Sequence, residues 1–172
     1  MYMEDKSKVS KQEALDSSDK SKLYGLALDE INMQLSTLEK GIIVPRMSTV
    51  LAVLRKFMPH YIWQGFYFAE EKEMVIGPYQ GEVTCPNIPY TGVCGTCARK
   101  KESLIIPNVG DFPGHIVCDK RAKSEIAVPI VDKAGRVIAV YATSSDRLNA
   151  FDDVDRKYLE NLMPILLDGE LQ

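Results

Sequence analysis

The chain has 172 residues, of which 45% are apolar and 26% charged, with a formal net charge of -3. That length and apolar content suit one domain with a real core, and the charge lacks the basic bias of a nucleic-acid binder. No apolar run approaches the ~18 residues that cross a bilayer, and Met1 to Lys6 carry no apolar signal segment, so a cytoplasmic protein without a membrane partner is expected.

Residues 1–19 are polar and rich in Lys, Ser, Asp and Glu, and read as a flexible N-terminal tail. The domain then runs over residues 20–172. From Lys20 to Lys40, Leu23, Leu26, Ala27, Ile31, Leu35 and Leu38 approximate helical spacing, with Gly41 as a stop. A second helix carries Pro45 in its first turn and Met47, Val50, Leu51 and Leu54 on its buried stripe, and Pro59 ends it. The period then changes. Tyr61 to Phe68 and Met74 to Tyr79 read as a strand hairpin around the charged turn Glu70 to Glu73.

A short helix follows over about Gly95 to Lys101, then a short strand at Leu104 to Ile106. Glu125 to Val131 and Arg136 to Thr143 make two further strands, joined by a turn at Asp132 to Gly135. A last helix is capped by Asp152 or Asp153, with Val154, Tyr158, Leu162, Ile165 and Leu166 on its inner face and Pro164 shortening it. Strands run together and helices sit at the ends. That order predicts an α+β domain with an antiparallel sheet.

All four cysteines, Cys85, Cys94, Cys97 and Cys118, fall in one loop-rich stretch, together with His115, one of two histidines. In a reducing compartment such a cluster points to redox catalysis or metal binding rather than structural disulfides. Cys94 and Cys97 form a C-x-x-C, and His115 and Cys118 an H-x-x-C. The two pairs could hold zinc, but Cys94 and Cys97 flank a helix start and Cys85 is left over. A thioredoxin-like use would need a preceding strand in a βαβ unit, which the element order does not supply. Cys97 reads as a small buried apolar residue. Cys118 and Cys85 sit in loops, where one thiol could attack substrate and the other resolve the sulfenic acid as a disulfide. On the aromatic strand, Trp63, Gly65 and Tyr67 share a face. They read either as core packing or as an apolar box in which glycine leaves room for a ligand.

The segments Trp63 to Tyr67, Ile76 to Gly81, Cys85, Ile88-Pro89, Gly92 to Gly95, Gly114 to Asp119, Lys123 to Ile126 and Pro129 together resemble the free methionine-(R)-sulfoxide reductases, which are single GAF-domain enzymes. The resemblance covers roughly residues 20–168. It implies a GAF-like fold, with N- and C-terminal helices packed on one face of the sheet and pocket loops on the other. It implies Cys118 as nucleophile, Cys85 as resolving cysteine, Cys94 as a further pocket thiol and thioredoxin as reductant. It implies no cofactor and no resident metal, and a homodimer is plausible. Trp63 and Tyr67 would hold the substrate's S-methyl end, with Glu125 at the polar end. The chain departs from the family's D-x-D-S pattern: Ala142 and Ser144 stand where two aspartates are expected, and Asp146 could replace them only through a bulge. The alternative is a non-catalytic GAF ligand-binding or redox-sensing domain derived from this family.

Overall fold

In the computed structural model, which describes residues 16–39 and 41–167, strands β1 (Trp63–Ala69), β2 (Met74–Gln80), β3 (Asn87–Ile88), β4 (Leu104–Ile106), β5 (Ser124–Val131) and β6 (Val137–Ser145) form one sheet. Its order is β3-β2-β1-β6-β5-β4, and every neighbouring pair is antiparallel. The expected hairpins β1–β2 and β5–β6 are both present.

Because successive strand side chains point to opposite faces, each central strand feeds two separate cores. Phe66, Ile126, Val128, Ile130, Ala139 and Tyr141 face helices α1 (Ser17–Leu35), α2 (Ile43–Phe57) and α4 (Asp153–Leu162). Trp63, Tyr67, Ala127, Val140 and Ala142 face helix α3 (Val93–Lys100) and the loops. Met47, Val50, Leu51 and Leu54 of α2 are buried as their spacing predicts, and burying each such side chain contributes roughly 1.5–3 kcal/mol. The chain therefore belongs to the α+β class, with the terminal helices on one face and the loop-rich stretch on the other.

The ends of α1 differ from the sequence reading, and the last helix is shortened at Pro164 as that reading expected. Helix α1 starts within the expected tail, because the Asp16 carboxylate accepts from Asp19 N at 2.8 Å and caps it; residues 1–15 lie outside the described residues. It ends at Leu35, short of Lys40. Helix α4 ends at Leu162, where Pro164 turns the chain into a short 3-10 segment, Met163–Leu167.

The inner faces of α1 and α4 also differ from a purely apolar stripe. Leu26 is exposed, whereas Lys20 and Tyr24 are buried. Their partner is Asp155, fully buried on α4, whose inner face it shares with Leu159 and Leu162. Lys20 Nζ donates to Asp155 Oδ2 at 2.5 Å, to Asp152 Oδ2 at 3.0 Å and to Ala150 O at 2.9 Å. The Tyr24 hydroxyl donates to Asp155 Oδ1 at 2.8 Å. Asp155 also accepts from Asp152 N at 2.8 Å, while Asp152 accepts from Val154 N and Asp155 N, which completes a capping box. Burial pushes the Asp155 carboxyl up, and the Lys20 ammonium opposes that shift. The network joins α1 to α4 through the buried Lys20, Tyr24 and Asp155, with the more exposed Asp152 at its edge.

Lys20→Met removes the ammonium and leaves Asp155 buried beside it. The substitution is expected to destabilise the domain by about 3–5 kcal/mol, as broken buried ion pairs do, measured by urea unfolding at pH 7. A loss below about 1 kcal/mol would show that Tyr24 and the backbone donors satisfy Asp155 unaided.

Candidate active site

The pocket floor is set by strand register. Trp63 pairs with Ser144, and Ser144 pairs with Glu125 across the next strand. One step along, Gly65, Ala142 and Ala127 form a second row. These rows place Trp63, Ser144 and Glu125 side by side, with small residues behind them. The register of β5 and β6 runs without a shift from Ser124 to Ile130. Asp146 therefore stays beyond the end of β6 and is exposed, so the bulge that would carry it into the pocket is not made.

A partly open cavity lies over this floor. Trp63, Tyr67, Ile88, Val93, Cys94 and Ile116 supply apolar walls, and Thr84, His115, Cys118, Asp119, Glu125 and Ser144 supply the polar groups. The two aromatic rings lie 6.2 Å apart at a 30° tilt. Both of these β1 rings line the cavity, but Gly65 does not open ligand space between them. A Cβ on Gly65 would fall 2.5 Å from the Tyr79 Cβ and 2.9 Å from the Trp63 ring. The glycine admits the indole and Tyr79, and no ligand space is left above it.

Helix α3 brings its cysteines in from the opposite wall. Gly92 caps its start, and Gly95 presses so closely on the Tyr90 backbone that a Cβ there would sit 2.3 Å from the Tyr90 Cα. This contact seats the helix on the sheet. Cys94 lines the cavity, and its thiol donates to Glu125 Oε1 at 3.8 Å. Burial pushes the Cys94 thiol well above the usual range, and the neighbouring Glu125 charge adds to that. Burial also raises the Glu125 carboxyl to about 7, against the lowering effect of the Cys94 hydrogen bond. Cys97 is fully buried behind Cys94 and does not line the cavity, as its apolar reading predicts.

Cys118 is half-buried at the cavity wall, and its thiol is in contact with Cys85 and with the Thr84 side chain. Burial raises its pKa, and the Thr84 hydrogen bond lowers it. The Tyr67 hydroxyl donates to the Cys85 carbonyl at 2.9 Å and lies 3.3 Å from Thr84 Oγ1. The loop carrying Cys85 is therefore tied to the aromatic wall. All four cysteines are free thiols. Cys85 and Cys118, far apart in sequence, meet at one side of the cavity, and Trp63, Tyr67, Cys94 and Glu125 surround the rest. Among the described residues, no three His, Cys, Asp or Glu side chains are placed to hold a metal ion.

The sequence reading assigned no role to Asp119. Its carboxylate lines the cavity beside Cys118 and is gripped in bidentate fashion by Arg121, at 3.0 Å from Nε and 2.7 Å from the terminal nitrogen. Arg121 N also donates to Asp119 Oδ1 at 2.9 Å. These bonds hold the Asp119 carboxyl below its ordinary range. The available signal was Asp119-Lys-Arg121 after a Gly-rich loop, the pattern of an Asx turn that a following arginine can close.

A family model described as GAF domain matches residues 46–166. The chain is 40% identical over 125 residues to the GAF domain-containing protein A of Dictyostelium discoideum, spanning 72% of this chain and 78% of that one. It is 43% identical over 108 residues to the free methionine-R-sulfoxide reductase of Saccharomyces cerevisiae, spanning 60% of each. The crystal structure of free methionine-R-sulfoxide reductase from Neisseria meningitidis in complex with its substrate superposes with a TM-score of 0.82 at 33% identity, over 91% of each chain. No described helix is long and apolar enough to cross a membrane. The chain belongs to the GAF domain family, and within it is similar to the free methionine-R-sulfoxide reductases.

Proposed function

We propose that the protein reduces free methionine-(R)-sulfoxide, with Cys118 as nucleophile, Cys85 as resolving thiol and thioredoxin as the reductant that resets them. The observation that carries the reading is the meeting of Cys118 and Cys85 at the wall of a cavity whose other sides are Trp63, Tyr67 and Glu125. The likeness to reductases of the same fold supports it.

In the proposed reaction the S-methyl group sits between Trp63 and Tyr67, where an apolar group gains from burial. The sulfoxide oxygen faces Glu125. A carboxyl raised to about 7 is half protonated near neutral pH and can donate to that oxygen. The Cys118 thiolate attacks the activated sulfur and takes the oxygen as sulfenic acid, releasing methionine. Cys85 then attacks the sulfenic sulfur, water leaves and a disulfide forms. Cys118 begins with a raised pKa, so its thiolate depends on the Thr84 hydrogen bond and on proton transfer to a neighbour.

Ala142 and Ser144 leave the floor without a second carboxylate. Glu125 is then the one carboxyl on that floor, and the ammonium group of the substrate must find its remaining partners among Ser144, backbone carbonyls and solvent. The same neutral floor favours a second reading, a redox-responsive GAF domain in which the Cys85–Cys118 disulfide itself is the signal.

A coupled assay separates the two. The protein with thioredoxin, thioredoxin reductase and NADPH should consume NADPH on free methionine-(R)-sulfoxide, and Cys118→Ser should abolish that rate. No turnover at millimolar substrate, with peroxide still forming the Cys85–Cys118 disulfide, would select the sensor.

Glu125→Gln should lower kcat/KM by roughly 10²–10⁴-fold, the usual worth of a positioned acid, and should remove the limb near pH 7. Its effect on stability has a definite sign. The folded-state pKa of Glu125 is raised, so its carboxyl favours folding below the ordinary range near 4.5 and opposes it once pH passes about 7. Urea midpoints should therefore show the Gln variant gaining on the parent between pH 5 and pH 8; a constant difference would contradict the raised pKa.

Ser144→Asp sets a second carboxylate directly across the strand pair from Glu125. Like charges disfavour double ionisation, so the pH limb should move upward while KM for the zwitterionic substrate falls. An unchanged limb would mean the two side chains do not share the floor.

A further inference from the structure

The proposed reaction leaves two thiols unused. Cys94 and Cys97 stand at neighbouring positions on the inner side of α3, three residues apart, in the core on the pocket side of the sheet. Cys94 and Cys118 line the same cavity, Cys97 lies three residues further along the helix from Cys94, and the Cys118 thiol neighbours Cys85. The four thiols thus share one packed cluster, running from half-buried loop positions at Cys85 and Cys118 to a fully buried helix position at Cys97. Nothing in apolar packing alone calls for a thiol at Cys97, since alanine or valine would fill the same inner face.

We propose that this series is a thiol relay that stores oxidising equivalents: the disulfide made by Cys85 and Cys118 moves inward to Cys94 and Cys97, so that one reduced chain completes a second round of sulfoxide reduction before it meets a reductant. The inference rests on the reductase reading above.

Each step balances. Cys118 takes the oxygen from one sulfoxide, and Cys85 closes the Cys85–Cys118 disulfide with loss of water. Cys94 then attacks the Cys118 sulfur; the Cys85–Cys118 bond breaks, a Cys94–Cys118 bond forms, and Cys85 leaves as a thiol. Cys97 attacks the Cys94 sulfur; a Cys94–Cys97 bond forms, and Cys118 leaves as a thiol. The oxidant is the sulfoxide alone, and the protons released by the attacking thiols return to the leaving ones. Cys85 and Cys118 are then ready for a second substrate.

The direction of transfer follows from the surroundings. A thiol held far from ionisation is a poor leaving group, and the disulfide that contains it resists exchange. Burial raises both Cys94 and Cys97 in this sense, so oxidation settles inward. Glu125 accepts the Cys94 hydrogen bond at 3.8 Å and can take the proton when that thiol attacks. The geometry demands a small adjustment. Helical neighbours three apart have Cβ atoms about 5–6 Å apart, and a disulfide needs about 3.5–4.5 Å. The helix start is the place where that is easiest, because Gly92 makes no side-chain cap there.

The test counts product without reductant. Protein is reduced, freed of reductant under argon and mixed with excess free methionine-(R)-sulfoxide, and methionine is measured per chain. The expected yield is about two, from four thiols at two per turnover. Cys97→Ser and, against a folding defect, Cys97→Ala should each give about one. A yield of one from the parent protein overturns the relay and leaves the reductase reading standing. A yield of zero overturns the reductase reading; the relay is then judged by the second arm. One equivalent of diamide is added to the reduced protein, thiols are trapped with an alkylating agent, and fragments are mapped by mass spectrometry. A bond between Cys94 and Cys97, with Cys85 and Cys118 alkylated, supports the relay. A bond left between Cys85 and Cys118 after an hour overturns it.

Discussion

The pairing of β6 between β1 and β5 is the constraint on which the rest of the structure depends. Because side chains alternate, a slip of one residue in either pairing would move Trp63, Ala142, Ser144 and Glu125 to the helix side and bring Phe66, Tyr141 and Ile126 into the cavity. Both cores forbid it. Two buried rings and an aliphatic chain would lose their contacts on one face, and a carboxyl would enter an apolar layer on the other. The register is thereby fixed by hydrophobic burial, and the pocket's chemistry is a by-product of that fixation. Helix α3 adds the second wall only because Gly95 lets it approach the Tyr90 backbone.

The buried Lys20, Asp155 and Tyr24 group plays the matching part on the far side of the sheet. It costs desolvation to bury those groups, and the hydrogen bonds offset that cost only with every partner present. Such a network favours one seating of α1 against α4. It leaves the apolar residues around it to supply the bulk of the stabilisation.

The order of elements was legible because the residues that end them are stiff: Pro45, Pro59 and Pro164 and the turn at Asp132 to Gly135 mark boundaries by geometry alone. The face of α2 was legible because Met47, Val50, Leu51 and Leu54 are all apolar. The face of α1 was legible only in part: Ala27, Ile31 and Leu35 are buried as their spacing predicts, but Lys20 and Tyr24 are polar residues whose burial depends on Asp155, which lies 135 positions beyond Lys20. The site divided in the same way. Trp63, Tyr67 and the cysteines announce their chemistry by type. The grip of Arg121 on Asp119 is a loop conformation that periodicity does not encode, and the space above Gly65 is decided by a neighbouring strand that brings Tyr79 against it.

The charge balance of the cavity has an outcome for solvent conditions. Asp119 is neutralised by Arg121 within the same turn, and Ser144 and Ala142 carry no charge. Below about pH 7 Glu125 is largely protonated. While the His115 imidazole, which burial holds below its ordinary pKa, also stays neutral, the interior presents dipoles and apolar surface with little net field, and an added electrolyte has little there to screen. Ligand capture under those conditions is governed by shape and short-range hydrogen bonds, and is insensitive to ionic strength. Above that pH a single unscreened carboxylate appears at the floor, and the same cavity acquires a preference for cationic groups.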